Sequence, residues 1–465
     1  MAMDLSALEF QGDNGRDEFR REPVAGKIIQ LLISDIHVSP MVIDGQWGMG
    51  KTEFCHKLIN KFRSDHKEFR LLYVDAFQAD HADNPLMTIL SAVLTLLPEG
   101  NEKKTFLKKA LPVLRFGLTT TGKAIASHVL KQNADDIADD LEKHLQDVAD
   151  KAIDASVMTL LKDHAKANEN ITALQETLVN LAKAHPIVIF VDELDRCRPD
   201  FAVQMLEVIK HTLEVEGVQF VLITNTQQLR ASINHCYGHQ VDAQRYLDKF
   251  IKFSFQLSAF VPHPQVYDKQ RKLAAVEHFS TLVKKSTSLS VTDIAEHHNT
   301  VCRFTHNLIA INNLSLREVE TFARHLEIYC HLGKGLNKNI IFGYQLVYVF
   351  GVYVFCFSPE IVEAIQQNKS DAQQIAILLG VHKLPDFEAG TYRPSPTDVI
   401  GMLLTQASTF NSELYRLPES AQQFLNKRIN SYFTEGGYEL DQFHDHEAFD
   451  QIKKAITTLS LGEIC

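Results

Sequence analysis

The sequence lacks the features that mark secreted, disulfide-bonded or repetitive proteins. Its seven cysteines are scattered, and no two of them form a C-x-x-C pair, a pattern that indicates reduced thiols in a cytosolic protein. The first residues contain neither a basic region nor an apolar stretch, so no signal peptide is expected. No internal repeat or low-complexity tract is visible. We therefore predict a cytoplasmic protein, with peripheral association at the inner membrane face left open.

Positive charge is also scarce. The chain has 47 Lys and Arg residues against 58 Asp and Glu residues, a formal net charge of −11. This balance argues against bulk affinity for nucleic acid, although it is compatible with a local basic patch. With 465 residues, the chain is too long for one ordinary domain and fits two or three.

Long hydrophobic runs are rare, and a single one needs an explanation. Residues 339–357 contain no charge and are long enough to be considered as a membrane span. The run nevertheless holds Gln345, three tyrosines and two glycines, and Ser358 with Pro359 ends it. We interpret it as a buried core helix rather than a transmembrane helix.

The strongest motif is a phosphate-binding loop. A short apolar run, Met41 to Ile43, leads into GQWGMGKT, which satisfies the spacing G-x-x-x-x-G-K-[ST] between a strand and a helical pattern. Lysine at this position reaches the β- and γ-phosphates, and the hydroxyl of Thr52 holds Mg²⁺. A glycine-rich turn that only joins strand and helix is the alternative, but it gives the lysine and the hydroxyl no purpose. The predicted nucleotide-binding residues are Gly45, Gln46, Trp47, Gly48, Met49, Gly50, Lys51, Thr52 and Glu53.

A second motif supplies the acidic residues that ATP hydrolysis needs. The apolar run Pro186 to Val191 ends in Asp192 and Glu193, the arrangement of a Walker B strand. Asp192 can hold Mg²⁺ through water, and Glu193 can orient and deprotonate the attacking water. The alternative is a solvated acidic turn, which the phosphate loop upstream disfavours.

Further candidate catalytic residues lie beside these motifs. Arg196 either neutralises phosphate charge or pairs with Asp192 or Asp195. Thr224 and Asn225 end the next predicted strand, where a polar side chain could sense the γ-phosphate or hold the water. We list Lys51, Glu193, Arg196 and Asn225 as catalytic, and Thr52 and Asp192 as the Mg²⁺ ligands.

The order of these segments predicts the fold class. Strands alternate with helices, which indicates an α/β protein with a doubly wound parallel sheet and ligands at the carboxyl ends of its strands. The core is expected to carry a helical insertion and a C-terminal helical lid or region, because the pattern is helical after about residue 260. The predicted strands are 41–43, 69–77, 186–191 and 218–224, and the predicted helices of this part are 23–36, 86–97 and 201–214.

The insertion segregates charge. Lys103 to Lys131 carries seven Lys and Arg residues and no acid, and an acidic helical segment follows, with an interruption predicted at 168–170. The two parts either form a helical hairpin whose faces meet each other or water, or dock on a membrane surface or a partner. Elsewhere, Glu296, His297, His298, Cys302 and His306 have only loose metal-ligand spacing, and we interpret the histidines as surface residues.

Several of these segments together resemble the KAP family of P-loop NTPases. They are GQWGMGKT, the DAF before Asn84, VDELDRCRPD and YLDKFIKFSF, and the tryptophan in the loop and the LDRC after the acidic pair are the most specific. Ser315 to Glu318, which also fits a capping box, is similar to the start of the helical lid in that family. Many members insert transmembrane helices between the two Walker motifs, whereas Arg115, Lys123 and prolines break any apolar run here.

The resemblance implies ATP binding and Mg²⁺-dependent hydrolysis that drives a conformational or assembly switch, often in anti-phage defence. A nucleotide-stabilised scaffold with little hydrolysis is the alternative, and Glu193 favours the first. A nucleic-acid-directed ATPase acting through Lys103 to Lys131 is a third possibility, disfavoured by the acidity. The predicted domains are an NTPase core (1–97 and 186–260), a helical insertion (98–185), a helical lid (261–335) and a C-terminal helical region (336–465).

We also predict a homo-oligomer and a protein partner. A charge-dispersed transition state for phosphoryl transfer gains most from an arginine at the far side of the phosphate. Arg317, at the start of the lid helix, is the candidate that acts on the nucleotide of its own subunit. Arg245 is better placed to cross an interface between subunits. Surface ion pairs are the alternative role for either residue.

Overall fold

The chain divides into two compact units, Met1–Ser258 and Ala259–Cys465. A computed structural model describes residues 7–11, 15–82, 84–97, 157–261, 272–333, 336–384, 393–434 and 445–461, together with Lys103, Phe106 and Ala110. The predicted division of the second unit into a lid and a C-terminal region stays a prediction.

The first unit is built on a five-stranded parallel sheet. Its strand order is β2-β3-β4-β1-β5. In this register Asp44 is paired with Thr224, and Asp75 with Asp192, so polar residues share one edge of the sheet. The strands are β1 (Met41–Asp44), β2 (Arg70–Asp75), β3 (Ile187–Asp192), β4 (Val218–Thr224) and β5 (Phe253–Gln256).

Helices cover both faces of this sheet, which confirms the doubly wound α/β prediction. Strand β3 is buried over its whole length, since alternate residues enter two different clusters: Ile189 joins one face and Phe190 the other. Helices α1 and α2 pack on the face of Phe190, and α4, α5 and α6 on the face of Ile189. The helices of the first unit are α1 (Glu22–Ile33), α2 (Lys51–Asp65), α3 (Ala76–Ala79), α4 (Pro85–Leu94), α5 (Val157–Ala184), α6 (Pro199–Val208), α7 (Thr226–Tyr237) and α8 (Ala243–Leu247).

The insertion differs from the prediction in one place. Helix α5 continues through residues 168–170, where an interruption was expected. These residues include no glycine or proline, and the low helix propensity of asparagine costs under about 1 kcal/mol, which a long packed helix easily offsets. Phe106 and Ala110 are buried in the core of the first unit, so the start of the insertion belongs to that core. The rest of the segment from Lys103 to Lys131 lies outside the described residues.

The sheet also has a strand that the sequence patterns did not predict. Strand β5 pairs with β1 at the edge of the sheet, and three of its four residues are exposed. Because an edge strand buries little, its hydrophobic pattern is weak. The other strands agree with the prediction within two residues at each end, and β4 agrees at both ends.

The second unit is mainly helical, as expected, with one short antiparallel pair, Phe260–Val261 and Lys272–Leu273. Its uncharged helix lies in the core of the unit: a side chain at Gly343 would approach the Tyr432 carbonyl oxygen to 2.4 Å, and one at Gly351 would approach Ala455 to 2.9 Å. Its helices are α9 (Ala274–Lys285), α10 (Thr300–Ile311), α11 (Leu316–Leu332), α12 (Phe342–Phe357), α13 (Pro359–Gln366), α14 (Ala372–Leu379), α15 (Pro396–Ala407), α16 (Glu419–Phe433) and α17 (Asp445–Leu459).

The helices within the described residues include the uncharged helix α12. None of these helices combines the length and the apolar character that crossing a bilayer requires.

Candidate nucleotide site

The phosphate loop leaves β1 after Asp44 and ends where α2 begins at Lys51. Gly48 and Gly50 have φ angles of 75° and 74°, in the left-handed region that is unfavourable for residues with a Cβ. Glycine at these two positions therefore lets the backbone turn so that its N–H groups and the first turn of α2 can face an anion. The helical pattern predicted after the loop is helix α2, which has 15 residues, or about four turns.

The lysine of the loop lies inside it. Lys51 is only 9% exposed, and its Nζ donates hydrogen bonds to the carbonyl oxygens of Gly45 at 2.6 Å and Gln46 at 3.2 Å. Burial lowers the pKa of Lys51, while the nearby carboxylates of Asp195 and Asp192 oppose that shift. The ammonium group is thus held where phosphate oxygens in the loop would reach it.

The predicted metal ligands meet at the end of β3. Asp192 is 1% exposed, and its carboxylate accepts hydrogen bonds from the Thr52 hydroxyl, from the Glu193 N–H at 2.8 Å and from the Tyr73 hydroxyl at 3.2 Å. Burial raises the pKa of Asp192 to about 6, although these hydrogen bonds oppose the shift. A carboxylate beside a hydroxyl is the oxygen donor set that Mg²⁺ prefers. The side chains present therefore fit a Mg²⁺ ion.

Glu193 has an unusual backbone and an unexpected partner. Its φ angle is 59°, a left-handed conformation that costs a residue other than glycine of order 1 kcal/mol. Arg196 Nη1 lies 3.0 Å from Glu193 Oε1, within one turn of 3₁₀ helix, Leu194–Arg196. Of the two roles predicted for Arg196, the pairing with Asp192 or Asp195 was wrong, because a 3₁₀ turn brings side chains three residues apart together and so places the guanidinium group beside Glu193. The other role, neutralising phosphate charge, stays a prediction.

Asp195 joins the loop to strand β4. Its buried carboxylate accepts a hydrogen bond from the indole N–H of Trp47 and another from the Thr224 hydroxyl at 3.1 Å. Asn225 follows Thr224 and is also buried, and its side-chain oxygen accepts the Gln227 N–H at 3.0 Å as the N-cap of α7. The sequence located these residues at strand ends but did not reveal the role of Asp195.

Replacing Asp195 with alanine is expected to release Trp47 and to weaken ATP binding roughly tenfold, the scale for losing a charge-assisted hydrogen bond. Trp47 is the only tryptophan of the chain and is 50% exposed, so its fluorescence reports on the loop directly. Acrylamide should quench the variant more strongly. The exposed Asp200, changed to alanine, is the matched control. Equal quenching in wild type and Asp195→Ala would contradict this role.

Arg21 is a contributor that no sequence motif signalled. It is buried at the start of α1, where its Nη1 donates to the Met49 carbonyl oxygen at 3.0 Å and its Nη2 to the Ser258 carbonyl oxygen at 3.4 Å. Burial lowers the pKa of Arg21 to about 10. The segment before α1 thus supports the phosphate loop through this side chain.

Three predicted site residues remain: Arg245, Arg317 and Glu53. Arg245, on α8, is exposed and forms an ion pair with Asp242 at 3.2 Å. Arg317 is exposed in the first turn of α11, after the capping box of Ser315 and Glu318 that the sequence predicted. Their roles stay predictions, as does the nucleotide contact of Glu53, which forms an ion pair with Lys57 at 2.7 Å.

The histidine group of the second unit does not form a metal site in the part of the chain that is described. His297 and His298 are exposed, as expected, whereas His306 is half-buried and lies 3.2 Å from the Ser280 hydroxyl. The interpretation of His306 as a surface residue was wrong, because α10 turns this side chain toward α9. Burial lowers the pKa of His306 to about 4.

Comparison with known proteins adds one strong match. A family model described as the KAP family P-loop domain matches residues 21–332, well over half of the chain. A solved structure of the Aeropyrum pernix ORC2 protein in ADPNP-ADP complexes is 15% identical, covering 94% of this chain and 93% of that chain, with a TM-score of 0.33. That likeness is too weak to say anything about function. No curated protein matches.

Proposed function

This chain belongs to the KAP family of P-loop NTPases, and from that premise we propose that it is a Mg²⁺-dependent ATPase that works as a conformational or assembly switch. The observation that carries the proposal is the convergence of Lys51, Thr52, Asp192 and Glu193 at the carboxyl ends of β1 and β3. Each of the four side chains has a role in phosphoryl transfer that its position allows.

Lys51 would neutralise phosphate charge from inside the loop. Thr52 and Asp192 would hold Mg²⁺, which would neutralise part of the negative charge of the phosphates. Glu193, at the mouth of the site, would orient the attacking water and take its proton. Asn225, at the end of the neighbouring strand, would hold that water or contact the γ-phosphate. Trp47, which donates a hydrogen bond to Asp195, would hold the phosphate loop in position beside the catalytic side chains.

Removal of magnesium tests the proposal. The purified chain is expected to release phosphate from ATP in the presence of Mg²⁺, and the rate is expected to fall to that of buffer when EDTA is in excess. Restoring free Mg²⁺ should restore the rate, which controls for damage by the chelator. Hydrolysis that persists in EDTA, or none with Mg²⁺, would contradict an ATPase that uses Asp192 and Thr52 as ligands.

One observation favours a second candidate, a nucleotide-stabilised scaffold with little hydrolysis. Glu193 is ion-paired with Arg196 at 3.0 Å, and a carboxylate in that pair is less available to accept a proton. The switch requires Arg196 to leave Glu193, for instance to meet phosphate charge. Tight ATP binding without turnover above buffer, in wild type and in Arg196→Gln alike, would support the scaffold.

The switch proposal includes self-assembly and a partner. Arg245 is 86% exposed in its side chain and so is accessible to a second subunit, where it would face the far side of the phosphate. Sedimentation of the purified chain should show a larger species in ATP than without nucleotide. Full hydrolysis by a dilute chain that sediments as a monomer would rule out a shared site.

For the cellular role we propose defence against phage, which rests on the family resemblance alone. The test compares the efficiency of phage plating on cells that express the chain and on cells that lack it. Equal efficiency on both would rule the role out.

A further inference from the structure

The second unit contains a cavity of about 510 Å³, within the range of small-molecule sites in proteins. Three arginines line it, and each comes from a different part of the chain. Arg303 lies on α10, Arg393 precedes α15, and Arg428 lies on α16. Asn307 and the phenol of Tyr432 also line the cavity, so neutral polar groups stand beside the cationic ones.

Among the described residues, the positive charge of this cavity is not balanced by acidic side chains. Within the described ranges, Arg303, Arg393 and Arg428 have no acidic partner within ion-pair distance. Burial raises the pKa of Tyr432, and the guanidinium groups of Arg428 and Arg303 oppose that shift, which places both near the phenol. Asp398 is the acid that faces Tyr432, and its carboxylate accepts the Ser395 N–H at 2.7 Å as part of a helix cap. In the part of the chain that is described, three cations therefore outnumber the one acid, Asp398, near Tyr432.

His306 adds no charge to this balance. It lines the same cavity, and its ring lies beside the Ser280 hydroxyl and the Cys302 sulfur. With its pKa lowered to about 4 by burial, the imidazole is neutral at physiological pH. The positive potential of the cavity comes from the guanidinium groups, whose planar forks match the oxygens of a phosphate group.

We propose that this cavity is a binding site for a small phosphate-bearing molecule, separate from the nucleotide site of the first unit. The cavity is the size of a small ligand rather than of an extended polymer. With a net charge of −11, the chain repels a long polyanion, whose affinity depends on many phosphate contacts. A compact ligand needs only the few contacts that three arginines supply. Asn307 donates a hydrogen bond from Nδ2 to the Thr397 hydroxyl at 3.1 Å, which fixes its side chain at the cavity wall. There it would contact the neutral part of the ligand.

The experiment measures pyrophosphate binding by calorimetry in EDTA, in a Lys51→Ala background that removes the ammonium group from the phosphate loop. One pyrophosphate per chain is expected to bind in this background. Arg303→Gln and Arg428→Gln should each weaken that binding about tenfold, and the two together about 100-fold, because each removes charge-assisted hydrogen bonds. Arg303→Lys keeps the charge but loses the planar fork, so its affinity for pyrophosphate should lie between that of Arg303→Gln and that of the chain with Arg303 unchanged.

Lys427→Gln is the matched control, since Lys427 is exposed beside Arg428 on α16 but does not line the cavity. It should leave pyrophosphate affinity unchanged. The variants at 303, 427 and 428 should keep the melting temperature of the Lys51→Ala chain, because these three side chains are exposed.

Three results of the calorimetry and one of a retention assay would overturn the proposal. The calorimetric results are no pyrophosphate binding in the Lys51→Ala chain, equal binding after loss of both arginines, and citrate binding as tight as that of pyrophosphate. Retention of a single-stranded oligonucleotide that depends on Arg303 and Arg428 would instead make the surface a nucleic-acid site and would also overturn it. None of these measurements uses ATP hydrolysis, so the outcome is independent of the proposed switch.

Discussion

Replacing Glu193 with glutamine is expected to slow ATP hydrolysis by about 10²-fold or more, the scale for losing a positioned base, while ATP still binds. Glutamine has the same shape and accepts the same left-handed backbone strain, but its amide cannot take a proton from water. Lys51, Thr52 and Asp192 remain in place to hold the phosphates and Mg²⁺. Single-turnover hydrolysis measures the rate, and Trp47 fluorescence measures binding in the same sample.

The matched control for this substitution is Glu214→Gln. Glu214 also forms ion pairs, with Lys210 at 2.8 Å and with Lys252, but it lies at the opposite end of the sheet, before β4 begins. Its loss removes an equal charge and should leave turnover unchanged. If Glu193→Gln hydrolysed ATP at the wild-type rate, the base would have to be another residue.

Replacing Lys51 with alanine is expected to lower ATP affinity by roughly 10²-fold and to abolish measurable turnover. The estimate follows from the loss of charge-assisted hydrogen bonds to phosphate, each of which contributes about 1.5–3 kcal/mol. The effect is large because Lys51 is buried in the loop, where water replaces the ammonium group poorly. Titration of ATP against Trp47 fluorescence, with turnover measured in parallel, provides both quantities.

Lys57→Ala is the control for Lys51→Ala. It shows whether the loss of ATP affinity comes from a missing phosphate contact or from the removal of any buried lysine. Lys57 lies on the same helix α2, is buried, and is ion-paired with Glu53 at 2.7 Å. Its removal leaves packing and an ion pair incomplete, so stability should fall while ATP affinity stays near that of wild type. Wild-type ATP affinity in Lys51→Ala would mean that the nucleotide binds elsewhere.

Features that depend only on the local backbone conformation were predictable from the sequence. The spacing of Gly45, Gly50 and Lys51 specifies a phosphate loop because glycine is needed where φ is positive, here at Gly48 and Gly50. The strand before Asp192 was predictable because a short apolar run in which most residues are β-branched suits a strand buried on both faces. The capping box of Ser315 and Glu318 was predictable because it depends only on residues three apart in the sequence.

Contacts between distant segments came from the tertiary structure alone. The hydrogen bonds from Trp47 and Thr224 to Asp195, and from Arg21 to Met49, join elements whose proximity follows from the strand order β2-β3-β4-β1-β5. Likewise, the arginine cavity gathers Arg303, Arg393 and Arg428 from segments with no shared pattern. Hydrophobic periodicity decides which face of an element is buried, but only packing and register decide which charged side chains meet.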